Sequence, residues 1–114
     1  MNELFLKYLW KYKLMKNPLV LNNGQKFEII NTGIENFNAG PDFLNAIIKI
    51  DDTTWAGNVE IHVKSSDWNL HGHNNDHAYD NVILHVVYSD DCVVYNASSR
   101  QIQNYCIDIY CKLL

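Results

Sequence analysis

The chain has 114 residues, of which 47% are apolar and 19% are charged. This length excludes a two-domain enzyme with a cleft between its halves, and the composition predicts a folded chain. Nine basic against thirteen acidic side chains give a net charge of -4, so the sequence lacks the basic patch that binding to duplex nucleic acid requires. We expect a single domain over residues 1–114.

Neither disulfides nor a membrane segment are indicated. Cys92, Cys106 and Cys111 are odd in number and show no CxxC spacing, which is typical of reduced thiols in a cytosol. The apolar stretch at residues 4–10 is interrupted by Lys7 and is much shorter than a membrane span. The sequence therefore predicts a soluble, cytoplasmic protein with no membrane partner.

An amphipathic helix is predicted at the start of the chain, capped by Asn2 and running to about Met15. Its lysines form a solvated strip, and Pro18 should end it. The side expected to pack against the rest of the protein carries Leu6, Leu9 and Trp10.

Two hairpins are predicted next. Residues 19–21 and 27–30 flank the sequence NNG at 22–24, which is typical of a tight turn. Residues 31–41 are rich in Asn and Gly and predict a loop. A second, longer hairpin should join residues 43–50 to residues 55–64.

The second half of the chain predicts fewer regular elements. The polar segment 65–80 indicates a structured loop with at most a short helix, and residues 82–88 a strand covered on both faces, with His85 in the core. A last hairpin should join 93–95 to 105–110. Together these elements predict an α+β fold, in which the N-terminal helix packs on a predominantly antiparallel, mixed sheet.

A polar row along residues 58–64 is the first candidate site. Alternation places four side chains on one face of the strand, namely Asn58, Glu60, His62 and Lys64. Asp42 and Glu60 as ligands of Mg²⁺ or Mn²⁺, with His62 or Lys64 orienting a water molecule, would form a phosphodiesterase site. The alternative is a solvated strand face whose polar residues have no joint role.

The register of the long hairpin decides whether Asp42 reaches this row. With Ile50 opposite Trp55, Asn45 faces Glu60 and strict alternation turns Asp42 to the other side. The metal site therefore requires a slipped register or an irregular start of the strand. We predict that the Asp42 carboxylate is turned toward Glu60 and His62.

A second candidate cluster is rich in histidine and occupies the polar segment. Its members are Asp67, His71, His73, Asp76 and His77. His71 and His73 with a later histidine would supply three zinc ligands and leave a position for water. Because the spacing matches no established zinc signature, we expect Mg²⁺ or Mn²⁺ ahead of zinc. The alternatives are a loop held by side-chain hydrogen bonds and a lid over a substrate.

Aromatic residues at strand and loop ends offer a third hypothesis. Phe37, Trp55, Trp68 and Tyr79 would form a stacking platform for nucleobases if they shared one surface. The alternative is packing in the core or at its rim.

Several longer motifs resemble the N-terminal part of a bacterial family known as domain of unknown function 2851. They are NAGPDF at 38–43, WAGNVEIHVKSSDW at 55–68, HGH at 71–73 and YDNVILHVVY at 79–88. The resemblance covers most of residues 1–95 and implies no particular activity. Because the family's members are longer, it implies a truncated chain or the N-terminal part of a longer protein, whose C-terminal part would be a partner.

A more distant likeness is to the PD-(D/E)xK nuclease superfamily. Matched residue by residue, Asp42 stands at the first acid, Glu60 at the second and His62 where a lysine is expected, with Lys64 as a substitute. This likeness implies a nuclease-like core and metal-dependent hydrolysis. The second functional hypothesis is a non-catalytic binding or scaffold module that presents Trp68 and the histidine loop to a partner. The sequence does not identify that partner or a substrate.

Overall fold

The computed structural model of the protein describes residues 1–107, which form one long helix and a mixed sheet. Helix α1 spans Glu3–Lys11 and begins where the Asn2 side chain accepts a hydrogen bond from the Phe5 backbone N–H. Tyr12 is its C-cap, and the next residue, Lys13, adopts a positive φ of 54°. The predicted N-cap is confirmed. The predicted end near Met15 is wrong, because the left-handed turn at Lys13 comes before Pro18 can act.

Nine strands account for most of the remaining regular structure in the described chain. They are β1 Leu19–Val20, β2 Lys26–Asn31, β3 Ile34–Glu35, β4 Phe43–Ile50, β5 Thr53–Lys64, β6 Val82–Ser89, β7 Val94–Tyr95, β8 Gln101–Ile102 and β9 Asn104–Cys106. The main sheet has the order β1-β2-β4-β5-β6-β9, and β3 pairs with β4. Pairs up to β5 are antiparallel, whereas β5–β6 and β6–β9 are parallel. A helix packed on a mixed, mainly antiparallel sheet is what the sequence predicted.

The polar segment between β5 and β6 forms the crossover that parallel strands require. It contains a one-turn helix, α2 (Asp67–Leu70), and two 3₁₀ turns at His73–Asn75 and His77–Tyr79. The prediction of a structured loop with at most a short helix is confirmed.

The end of the described chain differs from the sequence prediction. Strand β7 pairs with β8, and β9 instead joins the main sheet beside β6. The predicted pairing of 93–95 with 105–110 is therefore wrong, because a closer partner at Gln101–Ile102 completes the hairpin. Residues 108–110 of that prediction lie outside the described residues.

The long hairpin has a different register from the predicted one. Ile50 pairs with Thr53, and Trp55 lies opposite Ile48. The reason is a two-residue turn at Asp51 and Asp52, in which Asp51 has a φ of 53°. The turn between the strands is therefore two residues shorter than the sequence predicted.

A bulge then changes the register further along the same pair of strands. Phe43 faces Val59 and Ala46 faces Gly57, so β4 contains one more residue than β5 between these pairs. Asn45, within the bulge, has a φ of 58°. The bulge brings Asp42 level with Glu60, so the predicted pairing of Asn45 with Glu60 is wrong.

Two clusters of buried side chains fill the molecule. The larger one packs α1 against the sheet and includes Leu6, Leu9 and Trp10. The smaller one surrounds Trp68, under the crossover and the β7–β8 hairpin. Strands β5 and β6 lie between the two clusters, which is why residues 59–62 and 84–87 are buried on both faces. Among residues 1–107, no helix is long and apolar enough to span a membrane.

Candidate metal centre

Strand β5 carries the first two members of the site into the interior. Only 4% of Glu60 and 1% of His62 is exposed to solvent, because the crossover covers the face on which they lie. The alternative of a solvated strand face is therefore wrong for these two residues. Lys64, at the end of the same row, is exposed, and its backbone N–H donates to Asp67 Oδ2 at 3.1 Å.

The crossover brings two more histidines over β5. Gly72 adopts a φ of 76° between His71 and His73, which reverses the chain so that both rings approach His62. The His73 ring stacks on Tyr79 with centroids 3.7 Å apart and meets the edge of Trp68. The small core thus fixes His73, whereas His71 lies at the solvent-exposed side of the cluster.

Three imidazole rings converge at this point. His62, His71 and His73 each offer one nitrogen, and these three atoms lie within 4.8 Å of one another. His62 Nε2 lies 3.1 Å from His71 Nδ1. Ligands of a tetrahedral zinc ion, each about 2.1 Å from the metal, are about 3.4 Å apart. The spacing of the three nitrogens is compatible with one shared metal ion.

Glu60 completes the group with an oxygen. Its Oε2 lies 2.7 Å from His73 Nε2 and 3.4 Å from His62 Nε2. Despite the short distance, His73 Nε2 is buried and lacks a hydrogen bond of acceptable geometry. Buried polar atoms without a partner are costly. A cation bound beside the carboxylate would give His73 Nε2 the partner that it lacks.

The electrostatics of the cluster favour the neutral forms of His62 and His73. Burial, followed by the nearby His85, lowers the pKa of His62 to about 2. Burial and then His71 lower the pKa of His73, while burial and then Asp42 raise the pKa of Glu60. Neutral imidazoles are the form that binds metal ions. A divalent cation would also offset the cost of an ionised Glu60 in this environment.

Asp42 lies beside Glu60 but is engaged by other groups. The Asp42 backbone N–H donates to Glu60 Oε1 at 3.2 Å, so the two residues are adjacent. Asp42 Oδ2 accepts a hydrogen bond from the Ile61 backbone N–H at 2.8 Å, and Oδ1 pairs with Lys7 Nζ at 3.1 Å. Both oxygens therefore have partners within the protein, and a metal role for Asp42 stays a prediction.

Other members of the predicted histidine cluster lie elsewhere. His77 is largely exposed and pairs with Asp80 at 2.7 Å. Asp67 accepts a hydrogen bond from the Lys64 backbone, and Asp76 Oδ1 accepts one from the Ala78 backbone. These two acids hold the crossover in shape, as the hydrogen-bonded-loop alternative proposed. Among residues 1–107, the histidine that joins His71 and His73 is His62 and not His77.

The aromatic residues do not share one surface. Trp68 and Tyr79 pack edge to face in the small core, with centroids 5.9 Å apart, and both are buried. The hypothesis of a common stacking platform is therefore wrong for these two, and their packing role is confirmed. Trp55 and Phe37 are exposed. His85, as predicted, is a fully buried core histidine.

The comparisons with known proteins identify the family. The sequence profile described as Protein of unknown function (DUF2851) matches residues 3–113. The chain belongs to this family. No curated protein and no solved structure matches the chain. The resemblance to DUF2851 is thus confirmed, while the likeness to the PD-(D/E)xK nucleases is not shown.

From the sequence of this DUF2851 chain, His62 was placed in one candidate site, and His71 and His73 in another. The feature that brings the three histidines together is the short polar crossover after β5. A parallel return to β6 must pass over one face of the sheet. Glu60 and His62 alternate onto one face of β5, but the sequence does not say which face the crossover covers. The joint site was missed for that reason.

Proposed function

We propose that this DUF2851 chain binds one zinc ion through His62, His71 and His73, and that the metal centre hydrolyses a neutral substrate bond. The observation that carries the proposal is the convergence of three imidazole nitrogens within 4.8 Å beside a buried glutamate. Imidazole-rich sites suit zinc, whereas Mg²⁺ and Mn²⁺ prefer carboxylate and water oxygens. The donor set therefore supports zinc ahead of the magnesium expected from sequence.

Three protein ligands are typical of catalytic rather than structural zinc sites. A zinc ion on three imidazoles supplies a Lewis acid and lowers the pKa of a bound water to about 7. His71 lies on the exposed side of the cluster, which gives solvent access from that direction. Glu60, at 3.4 Å from His62 Nε2, stands where it can be a fourth ligand or accept the proton of that water.

The charges around the cluster support a neutral substrate. Carboxylates of Glu3, Asp42, Glu60 and Asp76 are close enough to influence the protonation of the cluster or of its neighbours. Lys7 lies among these carboxylates and pairs with Asp42 and Glu3. Apart from the charge of the zinc ion itself, these surroundings are negative, which disfavours an anionic phosphodiester relative to a neutral ester or amide.

The first experiment measures metal content. Purified protein should retain about one equivalent of zinc by elemental analysis, and His71→Ala should lose it. His71 is exposed, so its removal should not unfold the chain. His77→Ala is the matched control, since it removes a histidine of the same crossover that lies outside the cluster. Failure of zinc and Co²⁺ to bind the metal-free protein would overturn the proposal.

The second experiment tests hydrolysis with the zinc-loaded protein. A nitrophenyl ester and a nitroanilide should be hydrolysed, while a bis-nitrophenyl phosphate should not. Glu60→Gln should reduce the rate while zinc is still bound if Glu60 is the base, and should also weaken zinc binding if it is a ligand. Stoichiometric zinc without any hydrolysis would favour the non-catalytic binding or scaffold module.

A second candidate function is the nuclease-like phosphodiesterase. The adjacency of Asp42 and Glu60 supports it. In that hypothesis the two acids hold Mg²⁺ or Mn²⁺, and His62 or Lys64 orients the water. Hydrolysis of the phosphate diester that requires Mg²⁺ or Mn²⁺ and is abolished by Asp42→Ala would favour it over the zinc centre.

A further inference from the structure

A chain of hydrogen bonds lies behind the histidine cluster. His62 Nδ1 is 2.7 Å from His85 Nε2, and His85 Nδ1 is 3.0 Å from Asn104 Oδ1. The three residues belong to the neighbouring strands β5, β6 and β9, and none is more than 1% exposed. Each ring nitrogen in this chain therefore has its partner within the protein.

Asn104 determines which atom donates and which accepts in each of these hydrogen bonds. Its Nδ2 donates to Asp90 Oδ1 at 2.8 Å and to the Cys92 carbonyl at 3.0 Å. Both partners are acceptors, so the NH₂ group must face them and Oδ1 must face His85. An amide oxygen can only accept, and His85 Nδ1 must therefore carry the hydrogen.

The same reasoning continues to His62. A neutral His85 with its hydrogen on Nδ1 has a bare Nε2, which accepts. His62 Nδ1 then donates, and the remaining nitrogen of His62, Nε2, carries a lone pair. The Nε2 atom that carries this lone pair lies 3.1 Å from His71 Nδ1 and 3.4 Å from Glu60 Oε2.

We infer that His85 and Asn104 are positioning residues that hold His62 as its Nδ1–H tautomer and keep its Nε2 lone pair directed into the cluster. The tautomer follows from these hydrogen bonds together with a neutral His85. Its consequence for metal binding rests on the proposed function. Groups that orient a ligand histidine in this way typically contribute a factor of about 10 to 100 in metal affinity.

Nitrogen NMR of the metal-free protein tests the tautomer directly. Long-range proton–nitrogen correlation of ¹⁵N-histidine-labelled protein distinguishes a protonated ring nitrogen from a bare one. His62 and His85 should each be protonated at Nδ1 and bare at Nε2, with the two spin systems assigned through His85→Gln. A His62 that carries its hydrogen on Nε2 would overturn the inference, whether or not the protein binds zinc.

Zinc affinity tests the consequence for the cluster. His85→Leu removes the acceptor, and we expect zinc affinity to fall by about 10- to 100-fold. His85→Gln places an amide oxygen near the position of Nε2 and should restore most of that affinity. Equal affinity of the two variants would contradict a positioning role. If His85→Leu does not fold, Asn104→Leu provides the same comparison, with Asn96→Leu as a control for the loss of a buried amide elsewhere.

The two proposals can fail separately. A protein with the Nδ1–H tautomer that binds no zinc would refute the metal centre and leave the positioning chain in place. A zinc-binding protein whose His62 carries its hydrogen on Nε2 in the metal-free state would do the opposite.

Discussion

Asn45 adopts a left-handed backbone conformation within the bulge that sets Asp42 beside Glu60. Its backbone N–H donates to Asn58 Oδ1 at 3.1 Å, which ties the bulge to β5. Asparagine tolerates this conformation better than most residues because its short polar side chain can bond locally. A single exposed residue on β4 therefore helps to fix the geometry of buried residues at the candidate site.

Two replacements of Asn45 test how much the positive φ at this position costs in stability. Asn45→Ala should lower the free energy of unfolding by about 1 kcal/mol, since alanine lacks the polar side chain that helps asparagine to adopt positive φ. Asn45→Gly should cost less, because glycine adopts this conformation freely. Urea denaturation of both variants measures the difference, and Lys49→Ala, an exposed change on the same strand, is the control. Equal losses for Ala and Gly would contradict the strain argument.

At the scale of elements, helix α1 and the crossover hold the two faces of β5. Leu6, Leu9 and Trp10 of the helix are buried in the larger core. The crossover is anchored by Asp91, which accepts hydrogen bonds from the Ser65 hydroxyl and from the Ser66 hydroxyl and backbone N–H at 2.7 to 2.9 Å. Both elements contribute to the candidate site, since Lys7 of the helix pairs with Asp42.

The helix is expected to depend on its buried face. Leu9→Ala should destabilise the protein by about 2 to 5 kcal/mol, because it leaves a cavity in a packed core. Leu4→Ala removes the same atoms from the same helix at a side chain that is 76% exposed, and its effect should stay within about 0.5 kcal/mol. Chemical denaturation of the two variants gives the comparison, and similar losses would mean that the helix is not held by this core.

The Asp91 anchor predicts a pH dependence. Hydrogen bonds from Ser66 and Ser65 lower the pKa of Asp91 to about 2, from 3.8. The stabilisation is therefore present above pH 3.8 and is lost as the pH falls through about 2. Asp91→Asn should be less stable than the wild type near neutral pH, and the difference should disappear in acid. Asp52→Asn, at the hairpin turn, is the control for the loss of an exposed carboxylate elsewhere. A difference that does not change with pH would contradict this assignment.

On the scale of the whole molecule, the histidine cluster lies where the two cores meet. His62 belongs to the sheet, while His71 and His73 belong to the crossover that contains Trp68. A metal ion bound by all three would link these parts and would bind only the folded chain. Ligand binding to the native state alone must raise the stability of the whole protein.

Metal removal should therefore lower the melting temperature. Zinc at a thousand times its dissociation constant would add about 4 kcal/mol to the free energy of unfolding. We expect zinc to raise the melting temperature of metal-free protein in a thermal-shift series, and Mg²⁺ and Mn²⁺ to have little effect. His71→Ala should abolish the zinc response, whereas His77→Ala should keep it. A response to Mg²⁺ or Mn²⁺ that Asp42→Ala removes would instead favour the carboxylate site.

The candidate site was predictable only in parts. Alternation along β5 placed Glu60 and His62 on one face, and the HGH motif marked His71 and His73 as ligand candidates. Neither pattern shows that Glu60 and His62 lie close to His71 and His73, because that distance depends on how residues 65–81 cross the sheet. The bulge at Asn45 was also not predicted, although it is the feature that aligns Asp42 with Glu60.

Local signals in the sequence determined the N-cap at Asn2, the first hairpin, the long hairpin strands and the absence of a long helix in 65–80. Each depends on residues a few positions apart, whose conformational preferences act without the rest of the chain. The register of β4 on β5, the end of α1 and the partner of β9 were decided by the tertiary structure. These features depend on which distant side chains are buried together, and the same packing brings His62, His71 and His73 to one point.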